Sequence, residues 1–173
     1  MEFLNTIKGL IPDYAKDIRL NLDGTIARSS LEGNDAVAVA LAAAFAAKSR
    51  VIVDAIRNAG VLSPEETNAV LTAAALMGMN NVWYPFVEMA DDPDLATQPA
   101  GLRMNAYATH GGVDKRRFEM YALAASIVGK CHFCIKSHYA LLKNEQGMTA
   151  QQLRDVGRIA AVVVAAANVI AAE

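Results

Sequence analysis

Two cysteines, Cys131 and Cys134, stand three residues apart in the stretch FEMYALAASIVGKCHFCIKSH, which also holds His132 and His138, two of the three histidines in the chain. A Cys-x-x-Cys pair supports three chemistries: it can cycle between dithiol and disulfide, contribute half of a zinc site, or pack as two inert small hydrophobes. Redox work requires a thiolate, and a free thiol titrates at about 8.5, so the surroundings must favour deprotonation. Helix N-terminal amides would help through the macrodipole. His138 would take or relay the proton, and Lys130 and Lys136 add weak positive potential. Once Cys134 is oxidised to a sulfenic acid, Cys131 is close enough to condense with it into a disulfide. Zinc would draw three ligands from Cys131, Cys134 and His138, with Glu119 or His132 completing the set, but no second Cys-x-x-Cys or paired-histidine motif accompanies them. A thioredoxin-like arrangement is disfavoured, because no strand pattern precedes Cys131.

The elements that must position these groups form a helix hairpin. Asp114 suits the N-cap of a helix through KRRFEMYALAASIV, Gly129 interrupts it, and a second helix starts near Cys131 and runs to about Gln146, with Gly147 as its stop. On that second helix Cys131, Cys134 and His138 share one face. Glu119 lies ten residues before Gly129 and His138 nine after it. At about 1.5 Å of rise per residue they stand at nearly equal heights from the turn. Antiparallel packing would therefore set the Glu119 carboxylate beside the His138 imidazole, above the dithiol. There Glu119 could orient the ring and hold its charge, as third members of catalytic triads do. Without that level relationship Glu119 reads as a solvated helix acid, and His110 in THGGVDK reads as a loop histidine.

The remainder of the 173 residues reads as one helical domain spanning 1–173. Hydrophobic residues make up 54% with only 6% aromatics, and the balance is largely alanine, which favours closely packed helices. A net charge of −2 with scattered lysines and arginines leaves no footprint for nucleic acid or anionic lipid. DYAKDIRLNL aligns Tyr14, Ile18 and Leu22 on one stripe with Ala15 beside it, and Asp35 can cap a helix through AVAVALAAAFAAKS. RVIVDAIRNAG stops at Gly60, while SPEE (from Ser63) and TAQQ (from Thr149) are capping boxes that open further helices. MADDPDLATQPAG is a surface crossing. The apolar run IAAVVVAAANVIAA falls short of the ~20 residues needed to span a bilayer and reads as a buried helix or subunit contact. MEFLNTIKGLIPDYAKD has no basic start followed by an apolar core, so no signal peptide is expected and the location expected is the cytoplasm. A shift of 51 residues lays Ala74 on Ala125, Leu76 on Ile127 and Gly78 on Gly129. A duplicated helix hairpin would account for this echo, and so would chance similarity between two alanine-rich helices.

At these residues the chain resembles the alkyl hydroperoxidase D proteins of the carboxymuconolactone-decarboxylase-like superfamily. PDYAKDIRLNL, ALMGMNNVWY, GLRMN and the block from Phe118 to His138 are similar to the corresponding family segments in the same order, over nearly the whole chain. The family pattern of a glutamate, eleven residues, Cys-x-x-Cys, three residues and a histidine falls on Glu119, Cys131, Cys134 and His138. The resemblance implies an all-α bundle, commonly trimeric, that reduces peroxides. Cys134 would become the sulfenic acid, Cys131 would donate a proton and resolve the disulfide, and Glu119 with His138 would form the proton relay. It also implies no bound cofactor, a dihydrolipoyl-type reductant on a dehydrogenase-complex component, and for some members a partner peroxiredoxin.

One position departs from the pattern. Family members often carry a histidine directly before the second cysteine, where this chain has Phe133, and its own histidine comes one place earlier as His132. One residue turns a helical side chain by about 100°. The relay role is therefore not carried to His132, which remains an accessory polar neighbour near the helix start. Phe133 would reshape the substrate mouth or the surface on which a lipoyl arm docks. Two alternative functions stand beside the dithiol peroxidase. Lactone decarboxylation on the same fold leaves the cysteines unused, and a zinc-binding, non-enzymatic module uses them as ligands.

Overall fold

A computed structural model describes all 173 residues, and the chain is helical throughout with no strand. Two helices form the centre. α3 (Asp35–Ala46) is buried along its whole length from Asp35 to Ala44, and α8 (Lys115–Gly129) from Phe118 to Ser126. A helix buried on every side needs small residues so that several neighbours can approach, and alanine dominates both segments. α5 (Pro64–Ala90) and α10 (Ala150–Ala172) pack on both of them. α1 (Glu2–Gly9), α2 (Lys16–Leu22) and α4 (Arg50–Asn58) pack at the outside of this centre, α1 supplying Phe3, Leu4 and Ile7 to the core.

Local signals explain most of the helix starts. Ser63 and Glu66 form a reciprocal capping box with Pro64 at the first helical position, and Thr149 with Gln152 repeats it at α10. Asp114 caps α8 by accepting the Arg117 amide. Asp35 behaves otherwise. Asn34 holds the N-cap position of α3, and Asp35 is buried with its carboxylate 3.1 Å from the Arg117 guanidinium. That guanidinium also reaches Glu66 at 3.5 Å, so one arginine ties α3, α5 and α8 together. Burial pushes the Asp35 carboxyl up while Arg117 opposes it.

Other expectations are revised as well. Tyr14 lies in a 3₁₀ turn (Asp13–Ala15) ahead of α2, out of phase with the helical stripe, and is exposed, while Ala15 and Leu22 are buried. Its hydroxyl donates to Glu173 at 2.8 Å. α5 passes straight through Gly78, whereas the chain reverses after Gly129, so the two echoing segments adopt different local structures and pack as parts of neighbouring helices. The apolar run near the C-terminus belongs to a helix of 23 residues, long and apolar enough by those measures to cross a bilayer. One face of it is packed into the bundle through Val156, Ile159, Ala160 and Val163. The crossing after α5 holds two single turns, α6 (Pro93–Ala96) and α7 (Asn105–Ala108).

The hairpin itself is α8 and α9 (His132–Asn144). Gly129 does not break α8 but is its last residue, and Lys130 makes the reversal in the left-handed region at φ 55°. A Cβ at Gly129 would collide with Asn81 of α5, so its smallness is used for close packing. Gly147, at φ 68°, follows α9 as its stop.

Candidate active site

α9 begins at the dithiol. Cys131 is its N-cap residue, and the Cys131 sulfur accepts the Cys134 backbone N–H at 3.2 Å. One turn of helix brings the two Cα atoms to 5.3 Å, and the sulfurs are joined in a disulfide. Cys131 is fully buried against the Asn80 carbonyl. Cys134 is also buried, but it lines a cleft of about 400 Å³ together with His138, Tyr107, Met104, Tyr84 and Phe133.

One turn beyond Cys134, His138 meets the carboxylate that α8 delivers. Its Nδ1 lies 2.6 Å from Glu119 Oε2, as the equal heights about the turn predict. The Glu119 carboxylate is acceptor-only, so Nδ1–H donates. Tyr107 of α7 donates its hydroxyl to the other oxygen, Oε1. Burial opposes a charge on Glu119, yet the hydrogen bonds from His138 and Tyr107 outweigh it and hold the carboxyl below the usual glutamate range. Burial and the carboxylate acceptor push the Tyr107 phenol well above its usual range, which keeps it a donor. His138 Nε2 faces the Met77 sulfur of α5 at 3.2 Å.

This arrangement is a buried carboxylate–imidazole pair beside a disulfide that opens onto a cleft. It can hold a proton at His138, stabilise the imidazolium through Glu119, and exchange electrons at sulfur. Glu119, Cys131, Cys134 and His138 are brought together. His132 is not: it is exposed on the outer side of α9, with Nδ1 3.1 Å from Glu88 Oε1. No group of three or more His, Cys, Asp and Glu side chains is clustered so as to hold a metal ion. His110 lies in a 3₁₀ turn and packs near the rings of Tyr107 and Phe118.

Tyr107, Met77 and Asn80 were not evident from spacing. Met77 is a buried residue of α5 far along the chain from the hairpin, and Tyr107 sits in a single helical turn with no periodicity around it.

Residues 93–173 match the carboxymuconolactone decarboxylase family. Several near full-length relatives are named alkyl hydroperoxide reductase AhpD. The protein from Hyphomonas neptunium is 42% identical over 172 residues, covering 98% of this chain and 94% of the relative. That from Rhodospirillum centenum is 40% identical, covering 98% and 91%, and that from Maricaulis maris is 41% identical, covering 98% of both.

Proposed function

The chain belongs to the alkyl hydroperoxide reductase AhpD family, within the carboxymuconolactone-decarboxylase-like proteins, and on that premise we propose that it is a dithiol peroxidase. The observation that carries this reading is the convergence of Glu119, His138 and the Cys131–Cys134 disulfide at one hairpin, with Cys134 on the cleft.

In the reduced enzyme His138 draws the proton from the Cys134 thiol, and Glu119 holds the resulting imidazolium. The thiolate attacks one peroxide oxygen, the O–O bond breaks, and Cys134 becomes a sulfenic acid. The alcohol leaves with a proton supplied through Cys131 and the relay. Cys131 sulfur then attacks Cys134 sulfur, the S–S bond forms, and the hydroxyl departs as water. One peroxide has taken two electrons and two protons, and the disulfide holds the oxidising equivalents. A dihydrolipoyl-type dithiol on a dehydrogenase-complex component returns the pair to thiols by exchange, itself closing to the cyclic disulfide. No bound cofactor enters this cycle, and a partner peroxiredoxin is a further acceptor for the electrons. A reducing cytoplasm suits it.

Lactone decarboxylation would leave the two sulfurs without a role. Peroxide consumption measured with and without dihydrolipoamide tests the proposal, alongside mass spectrometry of alkylated protein. Two thiols should be lost on peroxide treatment of the reduced protein. Thiols that stay fully alkylatable would overturn it, and zinc retained after purification without chelator would favour a metal module instead.

A further inference from the structure

His138 makes two ring contacts in the disulfide form, and neither partner has a hydrogen to give. On one side Nδ1 lies 2.6 Å from Glu119 Oε2. The other carboxylate oxygen accepts the Tyr107 hydroxyl, and the carboxyl stays ionised despite its burial. On the opposite side Nε2 lies 3.2 Å from the Met77 sulfur, and a thioether can only accept. An imidazole whose two nitrogens both face acceptors donates from both, and a ring that donates twice is the imidazolium. A neutral ring would set the Nε2 lone pair against those of the sulfur. Met77 and Glu119 are fully buried and His138 is 6% exposed, so the protein supplies the ring's hydrogen bonds. The other ionisable groups on the packed elements are engaged elsewhere or neutral. On α5 Tyr84 lines the cleft and Glu88 is held by His132, and on α8 Lys115 pairs with Glu145 of α9. On α10 Asp155 is taken up by Ser30, Arg154 and Arg158, and on α9 itself Lys136 is exposed.

With Nδ1 committed to Glu119, Nε2 is the nitrogen left to serve Cys134, and while the cysteines are joined it is turned to Met77. We infer that Met77 is a positioning residue for the return of the disulfide to thiols: its sulfur holds Nε2–H, and so keeps His138 charged, until Cys134 leaves as a thiolate. The inference rests on the peroxidase reading and its dihydrolipoyl-type donor. Cys134 is the sulfur on the cleft, so the donor's first thiolate attacks there. The Cys131–Cys134 bond breaks, and its electron pair goes to Cys131, which takes one donor proton. The donor's second sulfur then attacks its first, and the donor–Cys134 bond leaves its electron pair on Cys134. The second donor proton goes to solvent. A thiolate is a stronger acceptor than a thioether, so Nε2–H passes from Met77 to Cys134. The site thus ends as Cys134 thiolate and His138 imidazolium, the state that attacks peroxide. Oxidation hands the imidazolium proton to the departing alcohol. The ring then takes one proton from solution as it returns to Met77, and that uptake is the signature of the arrangement.

Reduced protein, freed of reductant, is mixed in weak buffer at pH 7 with one equivalent of tert-butyl hydroperoxide. A pH indicator should record uptake of one proton for each disulfide formed. In the disulfide form, NMR of protein with isotope-labelled histidine rings should show hydrogen on both nitrogens of His138, with His138→Gln identifying the resonances. Met77→Leu keeps the volume and removes the acceptor. In that variant proton uptake should fall well below one, and reduction by dihydrolipoamide should slow about 10-fold, the worth of one hydrogen bond to a charged group. Met77→Gln offers a carbonyl oxygen from a side chain of the same length and should restore both. Equal slowing in the two variants with uptake unaffected would make Met77 a packing residue and overturn the inference. No uptake in the unsubstituted protein, with peroxide still closing the disulfide, overturns it too and leaves the peroxidase reading intact. Should peroxide fail to close the disulfide, the peroxidase reading falls instead. The disulfide form made with diamide then decides the inference: a ring protonated at both nitrogens upholds it, and a singly protonated ring overturns it.

Discussion

Asn81 lies over Gly129 so closely that a Cβ on the glycine would come within 2.7 Å of the Asn81 Cβ and nearer still to its amide. The asparagine is not free to swing aside, because its Nδ2 donates to the Ala125 carbonyl at 3.0 Å. The contact clamps α5 to the end of α8, directly before the reversal that leads to Cys131. In an ordinary helix Gly→Ala stabilises by about 0.5–1 kcal/mol. Here Gly129→Ala is expected to destabilise by about 1–3 kcal/mol through overpacking. Denaturant titration of the oxidised protein measures it, and a stabilised variant would mean that Asn81 yields.

The relay should behave as a unit. Glu119→Gln keeps size and polarity but removes the charge that stabilises imidazolium, and a positioned acid–base group contributes about 100- to 10,000-fold. Thiol oxidation by peroxide should slow on that scale in Glu119→Gln and in a His138→Gln variant, with the fold preserved by circular dichroism. The double variant should cost little more than the worse single one. Additive losses would show that the two act separately.

Tyr107→Phe removes one of the two donors that hold Glu119 charged. A donor to a carboxylate favours its charged form, so the loss raises the Glu119 pKa. The acid limb of the pH–rate profile should then move to higher pH, with about a 10-fold or greater loss of oxidation rate in mildly acidic buffer and a smaller loss near neutrality. A uniform loss at every pH would mean that Tyr107 only packs.

Asp155 of α10 anchors the segment before α3. Its Oδ2 accepts the Ser30 N–H at 2.9 Å and the Ser30 hydroxyl at 2.7 Å, and Arg158 lies 3.1 Å from Oδ1. Burial opposes the charge, but these bonds prevail and lower the carboxyl from its ordinary 3.8 to about 2. A lowered carboxyl stabilises the fold above its unfolded value, and that stabilisation disappears as pH falls from about 4 through about 2. Asp155→Asn should therefore cost about 1–3 kcal/mol at pH 7 and progressively less in acid. Urea titrations at pH 7 and pH 3 compare the two, and an equal cost at both would remove charge from the explanation.

A homotrimer is expected in solution. Val82, Phe86 and Met89 recur along the outer face of α5 and are all exposed, an apolar stripe of the kind that subunits cover. A ring of three needs one contact repeated by rotation. Light scattering should return three times the 18.4 kDa of one chain. Charged substitutions at Val82 and Phe86 together should lower that mass, and a monomer at micromolar concentration would refute the assembly.

Much of the site was legible in the sequence because it is local. Glu119, Cys131, Cys134 and His138 belong to one hairpin, and a fixed rise per residue suffices to set their heights. The capping boxes at Ser63 and Thr149 and the cap at Asp114 are equally local, each complete within four residues. What escaped depends on contacts between distant segments. Tyr107 reaches Glu119 from a one-turn helix, and Met77 reaches His138 from α5. Asp35 reads as a cap until Arg117 arrives from another helix to pair with it. Tyr14 reads as part of one helical stripe with Ile18 and Leu22 because a 3₁₀ turn changes the phase of a stripe without leaving a mark in residue type.

Cys131 occupies a seat that serine and threonine fill at the start of many helices, and its sulfur does their task by accepting the Cys134 amide. An oxygen would close the same turn and accept that bond more strongly. What an oxygen could not supply at position 131 is the bond to Cys134. The atom that starts the helix is thus also one half of the redox couple, so opening the disulfide leaves the helix start with its acceptor in place.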